Sequence, residues 1–187
     1  MKIHDALTAA AMGTASLFSL FSPRVKKRGV ADPQAARSAR EAIGLMRVIL
    51  APTTGADHSE RGIELACRIG AEHGATIHLL YVIVVPRSLP MGAPIPDDET
   101  KARAALTRAE SIVKSHGMKS DSHVYRARHS GEGIVQRARE LKADLLVWGM
   151  RPDYGPGDTL LGRTTDFLLR ESPCEIILDK MPSEPPP

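Results

Sequence analysis

Residues 143–178, with the sequence ADLLVWGMRPDYGPGDTLLGRTTDFLLRESPCEIIL, decide the fold. They open with a short apolar run at 145–148, which is typical of a strand buried on both faces of a sheet. Prolines and glycines between 152 and 157 then predict a loop. Apolar and small residues recur at helical spacing over 161–168, and residues 174–178 are again apolar and β-branched. This order of strand, loop, helix and strand predicts one parallel βαβ unit.

The loop in this unit is placed to hold a ligand. Open parallel sheets bind ligands at the carboxyl ends of their strands, which is where the loop after residue 148 begins. Gly162 and the three residues that follow it open the predicted helix. The free backbone N–H groups and the positive dipole end of that helix would face an anion there.

The composition indicates one globular domain with an extension. The chain has 187 residues, of which 42% are hydrophobic and 25% charged. Its net charge of +3 is unevenly distributed. Residues 1–45 carry seven Lys and Arg against three Asp and Glu, whereas residues 46–187 carry eighteen against nineteen. Since the globular part lacks a basic excess, we expect no nucleic-acid partner.

The N-terminal extension, residues 1–45, has two interpretations. Its apolar run at 6–21 is shorter than the roughly 20 residues that span a bilayer, and it makes a poor signal peptide. A basic stretch follows, so residues 6–28 are predicted to contact a membrane surface in one interpretation. In the other, the extension is a poorly ordered leader or is not translated. A start at Met46 would remove nothing from the predicted fold.

Strands and helices alternate over the rest of the chain. Strands are predicted at 47–51, 76–85, 122–127, 145–148 and 174–178. Helices are predicted from Ser59, as the cap, to His73, at 97–114, at 131–141 and from Gly162 onward. The third strand is the most polar, which predicts a position near a sheet edge. This pattern predicts an α/β domain over residues 46–180, built from parallel crossovers, and a proline-rich tail at 181–187.

The spacing of the loop residues carries a resemblance. Gly149 is followed by two residues and Pro152, and then by nine residues, Gly162 and Arg163. This resembles the universal stress protein family, of the adenine nucleotide alpha hydrolase-like superfamily, whose nucleotide-binding members have Gly at the Pro152 position and Ser or Thr at the Arg163 position. Four further segments match the family in order: ILAPTTGADHSERGIELA, IHLLYVI, GEGIVQRARELKADLLVWG and SPCEIIL. The resemblance implies a doubly wound, five-stranded parallel sheet of order 3-2-1-4-5 with helices on both faces.

The resemblance also implies a site for ATP or another adenine nucleotide. Matched residue by residue, that site consists of Pro52, Thr54, Val82, Gly149, Arg151, Gly162, Arg163 and Thr164. Thr54 replaces the family's Asp and lacks its charge, and Pro152 has no N–H to give a phosphate. We therefore expect an altered, impaired nucleotide site. The alternative is that the arginines are only surface residues on a relic loop.

Other reactive residues predict no catalytic or metal site. Asp57, His58 and Ser59 are adjacent and cannot by themselves form a nucleophile–base–acid relay. Four scattered histidines match no metal-ligand spacing: His73, His116, His123 and His129. Cys67 and Cys174 are predicted to be free, buried thiols. Trp148 is interpreted either as a base-stacking residue or as an aromatic of the core or its rim.

The expected function is that of a non-catalytic regulatory module of the stress response. It is expected in the cytoplasm with an unidentified protein partner. The family resemblance implies a homodimer that forms through the strand from Glu175 to Leu178. Two alternatives remain open. One is an accessory domain of a membrane transporter, and the other is an ATP-hydrolysing or adenylating enzyme of the same superfamily.

Overall fold

The structure is a computed structural model that describes residues 46–151 and 161–180. The predictions for residues 1–45, for Pro152 and for the tail at 181–187 lie outside the described residues. Within the described parts, five strands alternate with four helices: β1 Val48–Pro52, α1 Asp57–His73, β2 Thr76–Val84, α2 Pro96–Ser115, β3 Lys119–Ala127, α3 Ser130–Leu141, β4 Leu145–Met150, α4 Gly162–Glu171 and β5 Glu175–Lys180.

The sheet has the order β3-β2-β1-β4-β5, and every pairing in it is parallel. Ile49 of β1 is level with Ile77 of β2 on one side and with Leu145 of β4 on the other. The predicted fold class and strand order are therefore confirmed. The polar third strand is also confirmed as an edge strand.

The core is divided between the two faces of the sheet. Ile49 packs with Ile63 of α1 and with α2, whereas Leu50, the next residue, packs with α3 and with Leu168 of α4. Successive strand residues point to opposite faces, so a strand covered on both faces must be apolar at every position. The burial of residues 49–52 shows this pattern, because all four are buried. The prediction of helices on both faces is confirmed.

Two boundaries differ from those predicted. β3 begins at Lys119 instead of residue 122, because its exposed first residues pair with β2 from Thr76 onward. Backbone pairing leaves no hydrophobic signal there. The prediction that Ser59 caps the first helix is wrong: α1 begins at Asp57, after Ala56, and Ser59 lies within its first turn.

Both cysteines are free thiols, as predicted. Cys67 is buried in α1, and burial raises the pKa of its thiol to about 11. Cys174 is half-buried and lies just before β5 instead of opening it. Burial also raises the pKa of Cys174, so both thiols remain protonated at neutral pH.

Within residues 46–151 and 161–180, no helix is both long enough and apolar enough to cross a membrane.

Candidate functional site

A cavity of about 300 Å³ lies at the switch point of the sheet. β1 and β4 are neighbours there, but β1 leads into α1 on one face and β4 leads into α4 on the other. The loops that leave them must separate, which opens a crevice at the carboxyl ends of the two strands. The cavity therefore forms where the order of the strands predicts a ligand site.

Most of the predicted site residues come together around this cavity. Those that line it are Thr54, Gly149, Arg151, Gly162, Arg163 and Thr164. Pro52 and Val82 are not among the described residues that line it. Pro52 is buried at the end of β1, and Val82 packs against the core cluster under α3.

The loop between β1 and α1 is fixed by buried hydroxyl groups. Ser59 Oγ accepts a hydrogen bond from the backbone N–H of Thr54, at 3.2 Å, and donates one to the carbonyl oxygen of Ala56, at 2.7 Å. Thr53 Oγ1 accepts from the N–H of Gly55 at 3.0 Å. Ser59 thus stabilises the loop that presents the exposed Thr54 side chain, which is a different role from the predicted helix cap.

Gly149 is required by packing. A Cβ atom at this position would overlap the carbonyl oxygen of His58, and a Cβ atom at Gly62 would lie 3.0 Å from the nitrogen of Gly149. The end of β4 therefore packs directly on the first turns of α1. Gly162 has a φ of 68°, in the left-handed region that favours glycine. Both glycines of the matched spacing thus have a structural role, whether or not a phosphate binds.

Hydroxyl groups hold the amino end of α4 in place. Trp148 Nε1 donates a hydrogen bond to Thr165 Oγ1 at 3.0 Å, and Ser130 Oγ lies 2.9 Å from Thr164 Oγ1. Ser130 is the first residue of α3, so this contact joins two helices at the cavity wall. Trp148 is half-buried, packs on the core and also lines the cavity, so its position fits both the rim aromatic and the base-stacking interpretation.

The cavity wall is cationic. Arg151 at the end of β4 and Arg163 in the first turn of α4 both line it and are both exposed. Among the described lining residues there is no Asp or Glu. Two cations and a helix amino end together favour an anionic ligand.

Sequence reasoning missed His58 and Ser130 as residues of this wall. Burial lowers the pKa of His58 from its usual value. The cation of Arg151 lowers it further, against a smaller opposite effect of Asp57. The adjacent Asp57, His58 and Ser59 gave no signal for this role, because the cavity forms only when β4 packs against α1.

A second cluster of polar residues lies across β2 and β3. His78, Asp121 and His123 come together because the parallel register pairs His78 with Asp121 and Leu80 with His123. His78 carries no signal of this cluster in the sequence, since its partners lie more than forty positions away. Asp121 Oδ2 is 3.4 Å from His123 Nε2 and 3.8 Å from His78 Nδ1, so the three residues are close enough to be tested as metal ligands.

The geometry of this cluster is that of a hydrogen-bonded chain. The two imidazole planes differ by only 7°, and His78 Nδ1 is 3.1 Å from His123 Nε2, with the ring centres 5.4 Å apart. These values place the two rings edge to edge, so their facing nitrogens point at each other and do not converge on an ion. Arg137 Nη2 donates to His123 Nδ1 at 2.7 Å, which puts the His123 proton on Nε2. A metal-bound His123 would instead need an acceptor at Nδ1.

The fold and the cavity place the protein among doubly wound α/β domains with a ligand crevice at the switch point. The family model described as universal stress protein family matches residues 46–180. The chain belongs to this family.

Relatives and solved structures agree with this assignment. The chain is 30% identical over 138 residues to a universal stress protein of Thermus aquaticus, and the match covers 72% of this chain and 98% of the relative. It is similar in fold to a universal stress protein in complex with cAMP, with a TM-score of 0.60, 21% identity and coverage of 72% and 97%. A family protein from Arabidopsis thaliana with AMP bound gives a TM-score of 0.54, 17% identity and coverage of 72% and 91%.

Proposed function

We propose that this protein is a non-catalytic regulatory module of the stress response that binds an adenine nucleotide in the switch-point cavity. One observation carries the proposal: the cavity, Arg151, Arg163 and the amino end of α4 coincide. The structural neighbours in complex with cAMP and with AMP support an adenine nucleotide as the ligand.

Binding at this site would depend on charge. Thr54 offers one hydroxyl where nucleotide-binding members of the family have a carboxylate, so the nucleoside would be held less firmly. Arg163 would supply a cation beside the helix dipole, in a place where the family pattern has a hydroxyl. We therefore propose a site that is altered in favour of the phosphate end of the ligand.

The proposal is one of binding and not of turnover. The described residues around the cavity offer cations, hydroxyls, apolar groups and the imidazole of His58, but no carboxylate to hold a metal ion. Within the described residues, nothing favours the enzymatic or the transporter-associated alternative. Location in the cytoplasm and an unidentified protein partner remain part of the proposal.

Calorimetric titration tests the proposed site. Nucleotide-stripped protein is titrated with AMP, cAMP and ATP, and the variant Arg163→Ala is expected to bind tenfold to a hundredfold more weakly, since a charge-assisted contact contributes about 1.5–3 kcal/mol. The matched control is Arg170→Ala. Arg170 lies at the other end of α4 and pairs with Asp166, so its loss should leave affinity unchanged. Wild-type protein that binds none of the three nucleotides at millimolar concentration would overturn the proposal.

We also propose that two copies associate through β5, in the segment from Glu175 to Leu178. In the described sheet β5 pairs only with β4, so its outer edge is available for pairing. Leu178 is half-buried and belongs to neither main core cluster, whereas Ile177 packs into the core under α1 and α2.

Sedimentation at micromolar concentration tests this association. Leu178→Lys should give monomers. The matched control is Val124→Lys on β3, the opposite edge strand, where Val124 is 49% exposed. A wild-type monomer, or a dimer that only the Val124 variant disrupts, would contradict the use of β5.

A further inference from the structure

His58 lines the cavity wall, and burial lowers the pKa of its side chain from the usual value. It lies in the first turn of α1, and its backbone carbonyl packs against Gly149 of β4. This contact fixes the backbone of His58 at the cavity. The proposed nucleotide-binding function assigns no role to the side chain of His58.

Charges of both signs surround His58. Arg151 directly follows β4, Arg163 comes from α4 across the same cavity, and Asp57 is the neighbour of His58 on α1. Burial and Arg151 both disfavour a charged imidazole, and Asp57 opposes them more weakly, so the pKa of His58 lies below its usual value. The empty site therefore holds a neutral His58 at neutral pH.

Two other charged pairs on elements that pack against α1 are engaged elsewhere. Arg61 pairs with Asp179 of β5 at 3.0 Å, and Arg108 of α2 pairs with Glu60 at 2.8 Å. Neither pair is among the charges that displace the pKa of His58. The two arginines of the cavity are thus the cations that an incoming ligand would neutralise.

An anion in the cavity would reverse the balance at His58. It would offset the field of Arg151, and it would accept a hydrogen bond from a protonated imidazole. Both effects favour the charged ring only when the ligand is bound. Binding and protonation then support each other, as linkage requires.

We propose that His58 is a ligand-binding residue that takes up a proton as an anionic nucleotide enters the cavity, so that occupancy of the site increases as the pH falls. This inference rests on the proposed nucleotide site and adds to it a proton-linked response. Neither the family match nor the nucleotides bound by the structural neighbours assign this role to His58.

The test uses cAMP, because its phosphodiester keeps one negative charge over the pH range of the experiment. The phosphate monoester of AMP, by contrast, titrates at about pH 6. Wild-type protein is titrated by calorimetry at about pH 6 and about pH 8, on either side of the range where histidine changes charge. The affinity should be about three- to tenfold higher at the lower pH. Buffers of different ionisation enthalpy should report net proton uptake upon binding.

Two variants assign the effect to one residue. His58→Gln keeps a hydrogen-bond donor but does not titrate, so its affinity should be the same at both pH values. His73→Gln removes a histidine at the far end of the same helix, away from the cavity, and should behave as wild type. Circular dichroism confirms that each variant is folded.

The outcomes separate this inference from the proposed function. No cAMP binding by wild type at either pH, together with no binding of AMP or ATP, would overturn both. Binding that is equal at the two pH values, or a pH dependence that persists in His58→Gln, would overturn the role of His58 alone. Ring-resonance titration by NMR gives an independent check on wild type, because the pKa of His58 should rise when cAMP is added.

Discussion

Two arginine–histidine sites in the described part of the protein are built differently. Between β3 and α3, Arg137 donates to His123 and to Glu140 Oε2, at 3.0 Å, and only 23% of its side chain is exposed. At the switch point, Arg151 influences His58 across an open cavity, and Arg151 is exposed.

The comparison shows that a displaced pKa does not by itself identify a functional histidine. Burial is the largest cause for His58 and for His123, and an arginine comes second at both. The first site closes on itself, because Arg137 has partners within the fold. The second borders a cavity that can admit a ligand. A cavity beside the arginine and histidine therefore distinguishes a candidate functional site from a structural one, whereas the pKa shift alone does not.

The largest loss of stability is expected from a change that disrupts the cavity wall and leaves the His78–His123 pair intact. Gly149→Ala would force β4 away from His58, because the added methyl group overlaps that carbonyl. Overpacking against backbone should lower the free energy of unfolding by about 3 kcal/mol or more, as measured with urea. Gly92→Ala is the control, since a Cβ there meets nothing within 4 Å. A loss below about 1 kcal/mol would show that the contact is not rigid.

A somewhat smaller effect is expected from breaking the closed site. Arg137→Gln removes charge-assisted hydrogen bonds to His123 and Glu140, so the free energy of unfolding should fall by about 1.5–3 kcal/mol. Arg139→Gln, on the exposed face of the same helix, should change it by less than about 0.5 kcal/mol. Equal effects of the two substitutions would mean that Arg137 contributes no more than a surface arginine.

The next largest effect should be a loss of stability at acid pH, caused by the site that contains His78, His123 and Arg137. The pKa values of His78 and His123 are both lowered in the fold, first by burial, while Asp121 raises them and Arg137 lowers them. The unfolded chain therefore binds more protons, and stability decreases as the pH falls below about 6.5, the usual histidine pKa. Urea unfolding between about pH 5 and pH 8 measures this decrease, and His123→Gln should reduce its slope. If the slope in His123→Gln equals that of wild type, other groups cause the pH dependence of stability.

The smallest effect on stability is expected at the open site. Arg151→Gln and Arg163→Gln should each change the free energy of unfolding by less than about 0.5 kcal/mol, because both side chains are exposed. Added cAMP should stabilise wild type by about 2.7 kcal/mol at a hundred times its Kd, but it should stabilise both variants less at the same concentration. Thermal unfolding with and without cAMP separates the two effects. A large loss without ligand would make the arginines structural.

The sequence predicted the elements well but their ends less well. Apolar runs such as residues 145–148 located the strands, since a strand covered on both faces has no polar side. The start of β3 at Lys119 was missed because its first residues are exposed and are held by backbone pairing. Ser59 is a residue type that often caps helices, but α1 begins two residues earlier, at Asp57. The Ser59 hydroxyl instead stabilises the loop before the helix.

The candidate site was predicted in part. Thr54, Arg151 and Arg163 were predicted from the family resemblance and do line one cavity. His58 and Ser130 were not predicted, because they reach the cavity only when α1 packs on the end of β4 and α3 lies beside α4. Local spacing carries no information about such neighbours.

The sequence by itself determined which elements form, which of their faces are apolar and where the loop with Gly149 and Gly162 begins. These properties depend on residues close together along the chain. Only the tertiary structure decided that His78 meets His123 and that His58 faces the same cavity as Arg151. Strand register and helix packing set those distances, and a shift of one residue would move a side chain to the opposite face of the sheet.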